Sequence, residues 1–436
     1  MGAAPPKPGA ARWLPMRAWW PRVGRATLRK DALAGLSGAL IVLPQGIAYA
    51  VIAGMPPEYG LYCAIGPAIV AALFGSSWHL VSGPTAPISI VVFSALAPFA
   101  PPGSAEYVKL ALTLGFLVGA IQLALGAVRL GRLTDLISHS VIVGFTTGAA
   151  FLIAASQLKH FFGLPAAARS GFFPTVFEAA RALPELNIAV TAVGLITLLV
   201  CVLSRRLAPR LPHMVVAMIA GSLLAAFWPW SQATGVAIPT VGALPAAIPP
   251  LSLPSFDLAD WNRLGGSAVA IAVLGLTEAV AIARAVALRA GQTIDGNQEF
   301  IGQGLANIAG SFFSGYPSSG SFTRSGVNFD AGAATPLAAV FASLILMAIL
   351  YLVAPVVAYL PIAAMAGVLF VVAWGLIDLR GIRHIFAAWQ DNRDEVIVFC
   401  VTFGATLLIA LEFAVFVGIL LSLILRSLRN TPTGRA

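Results

Sequence analysis

The chain has 436 residues, of which 59% are hydrophobic and only 10% are charged, and its mean hydropathy is +0.90. Because soluble globular domains carry about 25% charged residues, this composition excludes a soluble enzyme or binding domain. The net charge of +9, from 26 Lys and Arg against 17 Asp and Glu, would suggest nucleic acid in a soluble protein. Here the basic residues lie at the ends of apolar segments, which indicates orientation in a membrane and no nucleic-acid partner.

The first 30 residues are basic, contain no acid and include three tryptophans, so we predict a cytoplasmic arm at the membrane surface over residues 1–30. Apolar segments long enough to cross a bilayer follow along almost the whole chain. In the first half we predict spans at about 31–54, 59–74, 85–100, 106–127, 134–156, 187–204 and 213–228, with a longer polar connection at 158–186.

Residues 230–262 are rich in Pro, Ser and Trp, which predicts a loop outside the membrane. In the second half we predict spans at about 264–287, 297–313, 321–332, 334–353, 361–377, 395–411 and 412–426. The short loops at 55–58, 101–105 and 354–360 carry no Lys or Arg, whereas the alternate loops are basic. Fourteen spans and the positive-inside rule therefore place both termini in the cytoplasm of a plasma or bacterial inner membrane.

Two stretches of the chain resemble each other. In each stretch, a short irregular link and a Ser-Gly pair lie between an apolar span and a polar helix start. The two stretches are LFGSSWHLVSGPTAPIS (73–89) and FFSGYPSSGSFTRS (312–325). Seven spans separate them, so the two copies have opposite orientations, which is typical of transporters with inverted repeats and a binding site at the repeat junction. We also expect Pro44-Gln45-Gly46 to break the first span.

Arg324 lies in the second of these stretches, where a charge within the membrane costs about 2.5–3.5 kcal/mol and is usually functional. The small residues before it predict a broken helix whose free N–H groups and positive dipole end face an anion. Glu278 in the eighth span is the candidate partner or proton carrier, because an anion that competes with Glu278 for Arg324 would couple protonation to binding. Two alternatives remain open: a permanent Arg324–Glu278 ion pair that joins two helices, and Glu299 as the partner of Arg324.

Further polar groups accompany Arg324. Thr323 and Ser325 flank it and could donate hydroxyls to an anion or to their own helix. Thr85 and Ala86 occupy the matching position in the first half, and Gln45 and Tyr49 share one face of the first span. The candidate residues are Gln45, Tyr49, Thr85, Ala86, Thr323, Arg324 and Ser325, with Glu278 as the candidate proton carrier. We find no metal-ligand pair, phosphate-binding loop or nucleophile elbow, so we expect neither enzyme activity nor a bound cofactor.

Five segments resemble the SulP family of anion transporters, which includes sulfate permeases and bicarbonate transporters. They are LPQGIAYAVIAGMPPEYGLY (43–62), VSGPTAPIS (81–89), LTEAVAIARA (276–285), NQEFIGQGLANIAGSFF (297–313) and SGSFTRSGVN (319–328). The resemblance implies an all-α membrane fold of about fourteen spans in seven-plus-seven inverted repeats, as in uracil permeases, with half-helices at spans 3 and 10. It also implies that the anion lies between those half-helices, on the residues named above, and that the protein is a homodimer.

The resemblance further implies a core domain that moves like an elevator against a gate domain. In this chain the domains would be the arm 1–30, the core 31–128 and 264–353, the gate 129–229 and 354–427, the outside loop 230–263 and the tail 428–436. The family usually carries a STAS domain after the last span, whereas this sequence stops at Ala436.

We expect a proton-coupled sulfate symporter. A sodium-coupled bicarbonate symporter, with Thr277 as the candidate sodium ligand, or a chloride/bicarbonate exchanger is the alternative, and an anion channel or motor-like anion sensor is a more distant one.

Overall fold

A computed structural model describes residues 15–131, 138–165, 171–208, 213–227, 238–242, 248–357, 359–387, 392–409 and 411–430. Most of the described part of the chain is helical, because the backbone groups of a lipid-exposed segment must be satisfied within the segment itself. The helices of the first half are α1 Met16–Trp19, α2 Arg25–Ile52, α3 Pro57–Cys63, α4 Gly66–Phe74, α5 Ala86–Leu96, α6 Ala105–Ala127, α7 His139–Phe162, α8 Phe172–Ala182, α9 Ile188–Leu207 and α10 His213–Phe227.

The helices of the second half are α11 Leu258–Ala290, α12 Gly296–Phe312, α13 Phe322–Asp330, α14 Leu337–Val357, α15 Ile362–Leu376, α16 Leu379–Ala387, α17 Arg393–Leu408 and α18 Leu411–Asn430. Two short strands complete the fold, β1 Ser82–Gly83 and β2 Ser319–Gly320. Within the described residues, seven helical segments are long and apolar enough to cross a membrane on their own. The helices α5 and α13 have only 11 and 9 residues, about half the length that a span requires.

Each predicted span corresponds to a helix, and the span predicted at 59–74 corresponds to the two short helices α3 and α4. One expectation was wrong. The first span is not broken, since α2 runs without interruption through Pro44, as membrane helices tolerate when neighbouring groups satisfy the freed carbonyl. The connection predicted at 158–186 contains the short helix α8, which has 11 residues.

The end of the predicted N-terminal arm is folded onto the protein. Trp19 is 1% exposed, although Trp20 is 61% exposed. The Arg22 guanidinium carbon lies 4.2 Å from the centre of the Trp78 ring, in the link between α4 and β1. Most of the arm, residues 1–14, lies outside the described residues.

The chain divides into two compact units: unit 1 comprises residues 1–134 and 244–354, and unit 2 comprises residues 135–243 and 355–436. In unit 1, α12 packs against α4 and α6, and α11 packs against α6. The packing of α12 on α6 depends on glycine, since a Cβ on Gly119 would lie 2.6 Å from the Ile308 nitrogen. In unit 2, α7 packs against α15 and α17, while α9 packs against α10 and α15. The predicted core and gate domains are defined by their movement relative to each other. The division of the chain into a core and a gate therefore stays a prediction.

The strands β1 and β2 pair in antiparallel fashion, with Ser82 opposite Gly320 and Gly83 opposite Ser319. The pattern of helix, link, strand and short helix occurs once in each half, as α4-β1-α5 and as α12-β2-α13. Because the strands pair in opposite directions, the first residues of α5 and α13 meet from the two halves of the chain. This meeting point lies entirely within unit 1.

Candidate functional site

Two helices begin at the strand pair. Thr85 is the N-cap of α5 and Ser321 is the N-cap of α13. The Ser321 hydroxyl accepts a hydrogen bond from the Arg324 backbone N–H at 3.4 Å, whereas the Thr85 side chain makes no such cap. The first N–H groups of a helix have no acceptor within it, and the helix dipole adds about half a positive charge there. Ala86 contributes the first N–H of α5, so the predicted pair Thr85–Ala86 does lie at a helix start.

Arg324 is the third residue of α13, and its side chain is 2% exposed. One terminal nitrogen, Nη2, donates to the Pro84 carbonyl at 2.8 Å. Its Nε is buried without a hydrogen-bond partner among the residues that the structure describes. No described carboxylate lies within 4.0 Å of the guanidinium, so the permanent ion pair with Glu278 is not formed. A buried charge held by one neutral carbonyl is costly, and a bound anion would offset that cost.

Glu278 lies on α11, is half-buried and interacts electrostatically with Arg324. Its Oε2 accepts a hydrogen bond from the Thr85 hydroxyl at 3.2 Å. The Thr85 hydroxyl therefore joins the start of α5 to the carboxylate on α11. The neighbouring Thr277 donates its hydroxyl to the Val273 carbonyl of its own helix at 2.7 Å.

Glu299 is not the partner of Arg324, which corrects one of the alternatives raised by the sequence. Its Oε1 accepts from the Ser76 N–H at 2.7 Å, from the Ser76 hydroxyl at 2.9 Å and from the Ser77 N–H. Glu299 thus stabilises the link between α4 and β1. Its role in the described structure is therefore structural.

The remaining predicted residues lie in the same unit. Gln45 and Tyr49 are buried on α2, which packs against α5 and α13. Tyr49 lies in the neighbourhood of both Arg324 and Glu278. Thr323 is exposed, whereas Ser325 is fully buried and its hydroxyl accepts from the Val81 N–H at 2.9 Å. Ser325 therefore holds the strand β1 as well as lying next to the arginine.

Sequence reasoning missed the side chains that fix the strands. On α12, Gln303 donates to the Ser82 hydroxyl at 2.7 Å, and the Asn307 Oδ1 accepts from the Ser318 N–H at 2.8 Å. The Asn307 amide also donates to Gln122 of α6 at 2.8 Å. Gln303 and Asn307 are four residues apart on α12, and this spacing on one helix face was the available signal.

A sequence model of the sulfate permease family matches residues 28–402 of the chain. The chain belongs to the sulfate permease family. It is 33% identical to human solute carrier family 26 member 6 over 442 residues, which covers 96% of this chain and 57% of the relative. It is 30% identical to the putative sulfate transporter YvdB of Bacillus subtilis (strain 168) over 398 residues, which covers 91% of this chain and 73% of the relative.

Two solved structures share the fold. Murine Solute Carrier 26 family member A9 in the inward-facing state superposes with a TM-score of 0.88 at 25% identity, covering 98% of this chain and 73% of that one. The transmembrane domain of the cyanobacterium bicarbonate transporter BicA gives 0.77 at 23% identity, covering 92% of this chain and 98% of that one.

These likenesses confirm the predicted fold, an all-α integral membrane protein with seven-plus-seven inverted repeats. The relatives carry the names of transporters, a solute carrier family member and a putative sulfate transporter, in agreement with the prediction that the chain is not an enzyme. The chain spans 57% of the length of the human relative. It spans 59% of the length of another relative, the chloroplastic sulfate transporter 4.1 of Arabidopsis thaliana.

Proposed function

We propose that this chain is a secondary-active inorganic anion transporter that couples sulfate to protons and works by an elevator-type movement. The observation that carries the proposal is Arg324, a buried cation that one neutral carbonyl holds between two helix starts. The guanidinium is an anion ligand with several donors in a fixed plane. The two helix N-termini add their backbone N–H groups beside it.

The charge of this arrangement favours a dianion with a proton. The arginine carries one positive charge and each of the two helix N-termini adds about +0.5, so the positive charge at the site is about +2. An ionised Glu278 reduces this to about +1, and protonation of Glu278 restores about +2. Sulfate, with two negative charges, would therefore bind best when Glu278 is protonated, which is the behaviour of a proton symporter.

Thr85 provides the structural link for this coupling. Its hydroxyl donates to the Glu278 carboxylate at 3.2 Å, and Thr85 also begins the helix α5. Protonation of Glu278 would weaken its attraction for the Thr85 hydroxyl, which could then turn to the anion. Protonation and anion binding would thus favour each other through one side chain.

The elevator movement is proposed because every group of the site belongs to unit 1. The strand pair and the Gln303 and Asn307 hydrogen bonds hold both helix starts within this unit. Unit 1 would then carry the anion as one body. We further propose a plasma or bacterial inner membrane location, two cytoplasmic termini and a homodimeric state.

The test is uptake of radiolabelled sulfate into proteoliposomes with and without an inward proton gradient. Gradient-stimulated, saturable uptake is expected, and Glu278→Gln is expected to remove the stimulation by the gradient while sulfate still binds. Glu106→Gln is the matched control, since Glu106 is an exposed acid of the same unit whose ion pair with Lys109 is loose, at 4.0 Å.

Absence of sulfate uptake by folded, inserted protein would refute the sulfate assignment. Uptake of bicarbonate driven by sodium would then support the alternative, although Thr277 has its hydroxyl committed to Val273. Channel-like current without saturation would instead identify an anion channel.

A further inference from the structure

Gly83, in the strand β1, lies directly against the guanidinium of Arg324. A Cβ on Gly83 would lie 2.6 Å from Nη1 and 3.2 Å from Nη2 of Arg324. It would also lie 3.3 Å from the Ala64 Cα. Contacts below 3.0 Å are not tolerated by real side chains, so one of the two groups would have to move.

The strand cannot easily make that movement. Val81, two residues before Gly83, donates to the Ser325 hydroxyl at 2.9 Å and accepts from the Ser321 N–H at 3.0 Å. Both partners belong to the start of α13, the helix that carries Arg324. Because these two hydrogen bonds tie the residue before the strand to the start of α13, a methyl group at position 83 would displace the end of the arginine rather than the strand.

The residue after Gly83 shows what such a displacement would disrupt. Among the described residues, it is the Pro84 carbonyl that accepts the hydrogen bond of the buried guanidinium, from Nη2 at 2.8 Å. Pro84 has no N–H, so it presents only an acceptor to the arginine. Gly83 supplies the space and Pro84 supplies the partner, and together they hold the charge beside both helix starts.

We propose that Gly83 is a positioning residue for the anion, because its lack of a side chain lets the Arg324 guanidinium lie between the starts of α5 and α13. This inference rests on the proposed anion-binding function of Arg324. The Ser-Gly pair of β1 thereby has a role beyond forming a turn or a strand, since its glycine leaves space for the guanidinium. Any side chain at position 83 would move the charge away from the point where the two helix N-termini meet.

The first experiment compares Gly83→Ala with Gly326→Ala. Gly326 lies on α13 two residues after Arg324, and a Cβ there meets nothing within 4 Å. In sulfate uptake by proteoliposomes, Gly83→Ala is expected to raise KM by about tenfold or more, the loss associated with one hydrogen bond to a charged group. Gly326→Ala is expected to change KM by less than about twofold, as for substitutions without contacts. An unchanged KM for Gly83→Ala would overturn the proposal.

The second experiment does not depend on transport. Gly83 has a φ of 145°, a conformation that strains alanine by itself. This strain is a backbone property, so it is the same with or without the arginine. Thermal unfolding is therefore measured for the four proteins of a double-mutant cycle: unmodified, Gly83→Ala, Arg324→Ala and the double variant.

Gly83→Ala is expected to lower the unfolding temperature less in the Arg324→Ala background, because the clash is absent there. If Gly83→Ala alone does not fold, recovery of folding in the double variant gives the same support. An equal loss in both backgrounds, or failure to fold in both, would overturn the proposal, since the glycine would then serve only the backbone. If the unmodified protein transports no sulfate, the proposed function fails while this cycle still decides the role of Gly83.

Discussion

Replacement of Arg324 by alanine is the most direct test of the site. A guanidinium has five N–H donors in general, and here one is donated to the Pro84 carbonyl at 2.8 Å. If a bound sulfate accepts two of the others, each charge-assisted bond contributes about 1.5–3 kcal/mol. The loss is then about 3–6 kcal/mol, which weakens binding by a factor of about a hundred to ten thousand.

Binding is best measured by thermal unfolding of purified protein across a range of sulfate concentrations. A ligand that binds only the folded protein stabilises it by about 2.7 kcal/mol at one hundred times its Kd. The unmodified protein should therefore unfold at higher temperature as sulfate increases, and Arg324→Ala should show no such shift. Arg324→Lys should give a smaller shift than the unmodified protein, because an ammonium retains the charge but not the planar set of donors.

Arg289→Ala is the matched control for loss of a cation from unit 1. Arg289 pairs with Asp330 at 2.6 Å, and the two side chains are 54% and 62% exposed. Exposed pairs contribute little, so the sulfate-dependent shift should persist. A full shift in Arg324→Ala would refute the assignment of the anion to this arginine, and loss of the shift in Arg289→Ala would show that the assay reports general charge.

Substitutions at three further positions, Glu278, Glu299 and Asp31, test the surroundings of the site. Glu278→Gln should bind sulfate but show uptake that no longer responds to a proton gradient, and a retained response would exclude its coupling role. Glu299→Gln should be nearly as stable as the unmodified protein, because all three hydrogen bonds go to Oε1, which glutamine retains. Glu299→Ala leaves two backbone N–H groups without an acceptor, which lowers the free energy of unfolding by about 1–3 kcal/mol for each group. Equal denaturant midpoints for the two variants would contradict this reasoning. Asp31 accepts from the backbone N–H groups of Ala334 and Thr335 at 2.7 and 3.0 Å ahead of α14. Asp31→Ala should therefore lower the unfolding midpoint more than Asp31→Asn, which keeps an acceptor oxygen. An equal loss in the two variants would show that the charge of Asp31 rather than its acceptors matters.

The sequence by itself located the helices that matter. Apolar segments of sufficient length predicted each span, and the two Ser-Gly stretches predicted the helix starts at Thr85 and Ser321. These features are local, since length, composition and helix start signals act over neighbouring residues. The same local reasoning misjudged Pro44, because the tolerance of a membrane helix for proline depends on what surrounds it.

The partners of the charged side chains could not be predicted in this way. Local patterns suggested three arrangements for Arg324, with Glu278, with Glu299 or with an anion. In the structure Arg324 donates to the Pro84 carbonyl, 240 residues away in the chain, and Glu299 accepts from Ser76 and Ser77. Neither acceptor was identifiable from the sequence, because a backbone carbonyl or N–H occurs at almost every position.

The tertiary structure decided which groups share the repeat junction. The pairing of β1 with β2 brings Gly83 next to Ser319, and thereby places the guanidinium against a residue that carries no side chain. Composition and spacing determined that the chain crosses a membrane and contains an isolated cation. The free space and the neutral acceptor beside that cation arise from packing between segments more than 200 residues apart, and only the folded chain defines them.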